Sequence, residues 1–330
     1  MGQVREGEVP EDRGAGVSGP RVSMIIVLYN SAGYIVPCLQ SLSRLEYGPV
    51  ELIIVDNCST DGSVPLARST LADLGMEASF CLMPSNRGFA AANNRGVSLA
   101  GGDILLFLNP DTEAYPDMAG ALVSAMDADE SIGVAGCKLY YPDRKTLQHV
   151  GGFIRHNGLT MHYGFDEEDT GQYESIKDVT YVTGAALAAR RAVFLSSGMF
   201  DEGYFPAYFE ETDLCLSVLR QGLRVVCVPG ARLVHHESTT TGRFTRRYYY
   251  LYHKNRIRFV LKNFPWDFLL DKALPMEQRW LGMIEPWEQA IPLNQAYAVN
   301  LARLPWTLAA RRRVTRALGP LPPDVTVAEL

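Results

Sequence analysis

The chain predicts an α/β fold: a mixed, mostly parallel sheet flanked by helices, with a helical extension at its C-terminal end. Apolar strand-like runs alternate with helix-like segments from Arg21 onward, which implies repeated βα units. The runs are continuously hydrophobic, not alternating, as strands buried on both faces are. Acidic residues stand where those runs give way to turns or helix starts, the edge at which open α/β sheets keep their ligand chemistry. With 330 residues, 47% of them hydrophobic, the chain can bury a large core and is globular.

The elements follow in order. Residues 1–20 are rich in Gly, Pro and charge and cannot repay the entropy of ordering, so a flexible tail is expected. An α/β domain should then occupy 21–242 and a basic, mainly helical extension 243–330. VSMIIVLYN reads as the first strand and is followed by a helix over 31–43; VELIIVDN is the second, with a helix over 63–74. ASFCLMP precedes a helix over 89–100, and DILLFLNPD precedes one near 116–127. From Ile132 to His162 the rhythm breaks into short runs split by YYPDRK and GGFIRHNG, the pattern of an irregular or antiparallel insertion. VTYVTGAALAA reads as a strand leading to a short helix over 190–197. FEETDLCLSVLRQG is a helix with Gly222 as its stop. LRVVCVPG is a last strand, ending at a turn that leads to His235. Beyond Thr241 the helical, basic sequence should be cut into short pieces by Pro265, Pro275, Pro286, Pro292 and Pro305.

Six scattered cysteines without a CxxC pair predict reduced, buried thiols and argue against zinc or a disulfide framework. Without a long apolar run or a signal-peptide layout, a cytoplasmic protein is expected, with contact to the inner face of the membrane left open. The net charge of −6 hides a basic run, Arg243 to Lys262, from which a local basic surface is expected. No nucleic-acid partner is expected; a homo-oligomer is left open.

Asp56 ends a buried strand, where a carboxylate can accept from a uracil or thymine N3–H or from ribose hydroxyls, or simply cap the next helix. Asp111, after Asn109 and Pro110, suits a hard divalent cation that bridges phosphates, although NPDT is also ordinary turn chemistry. Glu210, Glu211 and Asp213 open a helix; the macrodipole accounts for one acid there, and three exceed what capping needs. Glu211 is the first choice for a general base and Glu210 the second. His235 is a plausible metal ligand beside a carboxylate. In NRGFAAANNRG, Gly88 allows close backbone approach to a ligand, without the spacing of a Walker or dinucleotide loop.

Taken together, VSMIIVLYN, VDNCSTDGS, NRGFAAANNRG, LNPDT, TGAALAARRAVF, FDEGYFPAYFEETDLCLSVLRQG, PGARLVHHES and YYYLYHKNRIRFVLKN resemble family 2 glycosyltransferases of the GT-A fold, closest to the rhamnosyltransferase and galactofuranosyltransferase-like branch. The resemblance spans about 21–262. It implies a nucleotide-sugar site at Tyr29, Asn30, Asp56, Asn57, Arg87, Gly88, Asn93 and Asn109, and a Mn²⁺ or Mg²⁺ ion held by Asp111 and His235. Asn109 stands where the family's DxD-type motif has its first acid, and Glu211 where most relatives carry Asp. The implied reaction is inverting transfer of one sugar, from a dTDP-rhamnose or UDP-sugar donor, to a glycan or lipid-linked acceptor in surface polysaccharide synthesis. Arg246, Arg247, Lys254 and Arg256 could assist the diphosphate or meet an anionic membrane surface. The processive-synthase signature QxxRW fails at Met276. The competing readings are an inactive nucleotide-sugar-binding scaffold of the same fold and, ranked lower, a nucleotidyltransferase, whose Gly-rich basic loop is absent from VLYNSAGY.

Overall fold

The computed structural model describes residues 22–236, 245–284, 286–322 and 325; the expected tail at 1–20, and Arg243, lie outside the described residues. The first half alternates as the sequence predicts: β1 Val22–Leu28, α1 Ile35–Leu42, β2 Val50–Asp56, α2 Ser63–Leu74, β3 Ser79–Leu82, α3 Gly88–Val97 and β4 Ile104–Leu108. There follow β5 Thr112–Ala114, α4 Met118–Ala128, β6 Ile132–Tyr140, and the short strands β7 Leu147–His149, β8 Gly152–Ile154, β9 Thr160–His162 and β10 Lys177–Asp178. β11 Ala186–Arg190, α5 Arg191–Ser196, α6 Glu210–Leu219 and β12 Arg224–His235 complete the α/β part.

The main sheet runs β10-β12-β6-β11-β4-β1-β2-β3. β3, β2, β1 and β4 are mutually parallel, and β11 is antiparallel to both β4 and β6. Because successive side chains of a strand point to opposite faces, β1 feeds two cores at once. Met24 and Ile26 pack with Leu39, Leu71 and Leu122 of α1, α2 and α4. Ile25 packs on the other face with Phe107, Phe194 and Leu214.

Three expectations need correction. The stretch from Ile132 does not open as an irregular insertion: its first nine residues are β6, buried along its whole length between β11 and β12, and only the β8–β9 pair beyond it has the expected antiparallel form. The last strand does not end at Pro229–Gly230. β12 continues to His235 through a register shift between Val228 and Arg232, a bulge that absorbs a proline unable to donate to the ladder. The lead-in to β11 is not strand: the ladder starts at Ala186, and Tyr181 makes only an isolated bridge to Gly152.

The extension is α7 Arg246–Asn263, α8 Trp266–Phe268, a π-helical turn over Leu269–Ala273, α9 Leu274–Leu281, α10 Pro286–Ala302 and α11 Leu304–Leu318. Pro292 lies inside α10 and does not break it. Phe259 and Phe264 are fully buried in the same core as Ile25 and Phe107. The basic run is not a surface along its length: Arg256 is 1% exposed and Lys262 3%, each turned inward onto an acid.

Candidate active site

The ends of β1, β2 and β4 and the start of β11 share one sheet edge, since Leu28 lies beside Asp56, Ile26 beside Leu108, and Leu108 beside Ala186. The Asp56 carboxylate, buried at that edge, accepts from the Ser59 amide at 3.2 Å. The loops after β1 and β2 brace each other: Asn30 takes a hydrogen bond from the Thr60 amide at 2.8 Å, and its own amide donates to Ser59 Oγ at 3.0 Å. Tyr29, half-buried, precedes it, its amide 3.3 Å from Ser31 Oγ. Asn57 receives the Arg87 amide at 2.8 Å and donates to Asn86 Oδ1 at 3.1 Å, so the turn entering α3 is held against the end of β2. Arg87 is exposed and lines a cavity of about 490 Å³ beside β3. Asn93 lies away from this surface: it is 1% exposed and its amide donates to the Phe89 carbonyl, one turn back, at 3.0 Å.

Gly88 has φ +82°, and a Cβ there would come within 2.8 Å of the Pro206 carbonyl oxygen. The close approach its sequence context predicts is thus taken up by the protein's own Phe205–Pro206 loop, and the Phe89 amide donates to that same carbonyl at 2.8 Å.

Asp111 follows Asn109, whose amide donates to the Ala185 carbonyl at 3.0 Å and whose carbonyl accepts from Thr112 Oγ1 at 2.6 Å. The antiparallel pairing of β5 with β12 sets Thr112 opposite His235, which brings Asp111 Oδ1 to 3.4 Å from His235 Nε2. His235 Nδ1 lies 2.7 Å from Gln148 Oε1. An amide oxygen can only accept, so Nδ1 carries a proton, and Nε2 is the atom turned to the Asp111 carboxylate, offering a lone pair when the ring is neutral and a proton when it is charged. Burial would raise the Asp111 pKa, but the hydrogen bond and charge of His235 outweigh it and leave the carboxyl below its ordinary value. A ring nitrogen and a carboxylate oxygen facing each other at this distance could hold a divalent cation between them. No group of three His, Cys, Asp or Glu side chains forms a metal cluster among the described residues. Nearby, His236 meets Glu113 at 2.7 Å.

The three acids of FEETD divide their work. Asp213, 4% exposed, accepts from Tyr204 Oη at 2.8 Å, Asn263 Nδ2 at 2.8 Å and Lys262 Nζ at 2.6 Å, and so ties α6 to the end of α7. Glu210, 3% exposed, has an Oε2 without a hydrogen-bond partner; burial first, then the charge of Glu211, push its pKa well up. Glu211 is half-buried, and burial lifts it to about 7. Its Cβ passes 3.8 Å from where a Cβ of Gly184 would be, one residue before the Ala185 that Asn109 bonds, so Glu211 stands at the same sheet edge as Asp111. The turn before Glu210 is strained, with Tyr208 at φ +81° and Phe209 at φ +78°, a conformation that costs free energy and collects at functional sites.

Two residues that hold this site escaped the sequence reading. Gln148 sits in LQH, a polar side chain inside a buried three-residue strand, which is its only sequence signal. Asn255 of α7 is fully buried, and its Nδ2 lies 2.6, 2.8 and 2.9 Å from the carbonyls of Tyr204, Ala207 and Tyr208, fixing the strained turn. The basic candidates separate. Arg246 and Arg247 are exposed, but Arg256 is spent on both oxygens of Glu277 at 2.6 and 2.7 Å, which rules it out as a phosphate or membrane contact. Lys254, 8% exposed, donates to the Phe205 carbonyl; burial first, then Arg303 and Arg258, lower its pKa to about 8, while Glu210 opposes them.

The sequence model described as "Glycosyl transferase family 2" matches residues 23–195. The O-antigen biosynthesis protein RfbC of Myxococcus xanthus is 33% identical over 67% of this chain, which spans only 18% of that relative's length. The N-acetylglucosaminyl-diphospho-decaprenol L-rhamnosyltransferase of Mycobacterium tuberculosis is 26% identical over 72% of this chain and 83% of its own. A solved structure of GalNAc-T7 with UDP, GalNAc and Mn²⁺ superposes with a TM-score of 0.61 at 15% identity, covering 92% of this chain and 59% of that one, a likeness of GT-A fold. The family match takes in the strands and loops that carry Asp56, Asn57, Asn109 and Asp111, and by it the chain belongs to glycosyltransferase family 2.

Proposed function

We propose that the protein transfers one sugar from a nucleoside-diphosphate sugar to a hydroxyl of a glycan or lipid-linked acceptor, with inversion at the anomeric carbon. The observation that carries this is the convergence of His235 Nε2 and the Asp111 carboxylate on the sheet edge that also holds Glu211. Asp56 and the braced loops of Asn30 and Asn57 would seat the nucleoside. A divalent cation held by Asp111 and His235 would supply positive charge beside the departing diphosphate. Glu211, ionised near neutral pH, takes the proton of the acceptor hydroxyl as that oxygen forms its bond to the anomeric carbon and the bond to the diphosphate breaks on the opposite side. Rhamnose is the donor sugar favoured by the mycobacterial relative's name.

A scaffold that binds without turnover gains nothing from a strained turn and a buried carboxyl oxygen left without a partner, and both precede Glu211. The deciding experiment is a thermal-shift and turnover screen against nucleoside-diphosphate sugars with Mn²⁺ or Mg²⁺. One sugar nucleotide should stabilise the protein only with metal, and Asp111→Ala should abolish that. Glu211→Gln should keep the stabilisation and lower turnover by about 10²–10⁴-fold. Full turnover in Glu211→Gln removes Glu211 as the base, and no stabilisation by any donor removes the transferase reading.

A further inference from the structure

The C-terminal helices enclose a second cavity, of about 540 Å³, which the transfer reaction does not use. Val260 and Leu261 of α7, Leu269 and Ala273 of the π-helical turn, and Leu304 of α11 give it hydrocarbon walls. The polar groups at its base are consumed by one another: Arg256 bonds Glu277 and the Asn157 carbonyl, and Tyr297 bonds Glu277. Nothing there is left to select a polar ligand. At the mouth, Trp266 is 54% exposed, Leu270 64%, Leu274 49% and Leu301 74%, far more apolar surface than isolated exposed residues account for. Ile291 of α10 and Trp306 of α11 are exposed as well.

The charge of the same helices says what covers this face. From residue 289 to residue 323, in α10 and α11, the sequence has no acid, while it carries Arg303, Arg311, Arg312, Arg313 and Arg316; α8 and the π-helical turn set exposed Asp267 and Asp271 against Lys272, so the excess positive charge comes from α11 and the residue before it. Arg311 lies 4.5 Å over the Trp266 ring, which places a cation at the cavity mouth. Arg303, Arg312, Arg313 and Arg316 are exposed and have no acidic partner among the described residues. In a chain of net charge −6 this is a local concentration of positive charge beside exposed hydrocarbon, the combination that binds anionic lipid surfaces.

We propose that α8–α11 form a docking surface for an anionic lipid bilayer, with Trp266, Leu270 and Leu301 entering the interface, a lipid hydrocarbon chain reaching the cavity behind them, and the arginines of α11 meeting the headgroups. The membrane contact thus moves from the basic run of α7, whose Arg256 and Lys262 are buried, to the helices beyond it. α7 is the wall between the two sites, with Arg256 and Val260 on the cavity and Asn255 on the turn before Glu210.

The test is flotation of the full chain with vesicles of phosphatidylcholine alone or mixed with phosphatidylglycerol, together with quenching of tryptophan fluorescence by bromine-labelled acyl chains. Partition turnover-free, on the mixed vesicles only, is the expected result, with quenching, and with binding lost as salt rises from about 0.1 to about 1 M. Replacing Arg312, Arg313 and Arg316 together by Ser should lower the partition coefficient on the order of 100-fold at unchanged thermal stability, because all three are exposed. Leu270→Ser with Leu301→Ser should reduce the quenching. Equal partition onto both vesicle types, or none onto the mixed ones, overturns the proposal. So does a concentration-dependent dimer in sedimentation velocity that Leu301→Ser converts to monomer, since the face then belongs to a second copy of the chain.

Discussion

In the proposed transfer Glu211 takes a proton from a sugar hydroxyl, and a carboxylate does this best when its own pKa sits near the working pH. Burial lifts Glu211 to about 7, so transfer should accelerate as pH rises toward neutrality and level off above it. A kcat/KM profile that stays flat from about pH 5 to about pH 8 would place the base elsewhere. Glu210 is held further up by burial and by Glu211's charge. The folded protein therefore keeps a proton that the unfolded chain releases above its ordinary carboxyl pKa, and stability falls as pH climbs past that value. Glu210→Gln should raise Tm at pH of about 8 and lose that advantage toward pH of about 4.5, as thermal melts across the range would show; a pH-independent difference would mean that packing, not ionisation, sets it. The places of Asp56 and Glu211 follow from the sequence, since the one ends a strand and the other stands in the first turn of a helix; Asp111 falls in the turn between β4 and β5, and His235 at the end of a strand half that the sequence did not show. Gln148 was not legible, because the ring it orients lies 87 residues away. Arg256 was misread because its spacing on α7 shows a charge but not the Glu277 that neutralises it.

The elements divide in the same way. α2 falls on the predicted residues 63–74, since a polar turn, a local amphipathic stretch and Gly75 delimit it. β6 and the far half of β12 were missed because their pairing is non-local: a nine-residue buried strand and a three-residue bulge stabilise each other across the sheet, and neither run looks like a strand without its partner. The tie between α6 and α7 is equally non-local. Lys262 and Asn263 reach back about fifty residues to a buried Asp213. Asp213→Ala takes one of two counterions from the buried Lys262 ammonium, Asp201 remaining at 2.7 Å, and strips the Tyr204 hydroxyl and the Asn263 amide of their acceptor, which should cost about 2–3 kcal/mol. Denaturant titration measures it directly, and a loss under about 1 kcal/mol would show that water already reaches the pair.

At the scale of the molecule, the resemblance to the family stops near residue 262 and the sequence suggests a boundary at 243, yet α7 puts Phe259 and Phe264 into the core beneath the sheet, and the Phe259 ring lies 5.3 Å from that of Phe209. A chain ended at 242 should therefore lose cooperative thermal unfolding and solubility, with the turn before Glu210 released from Asn255. A sharp melt from that fragment would show that the α/β part folds alone. The contact at Gly88 has a consequence of a different kind. Pro206 rests against a position that tolerates no Cβ, and four residues beyond Pro206 the helix with Glu211 begins. A side chain at position 88 would therefore force the loop at Pro206 to move, and a loop that moves resets where the Glu211 carboxylate points.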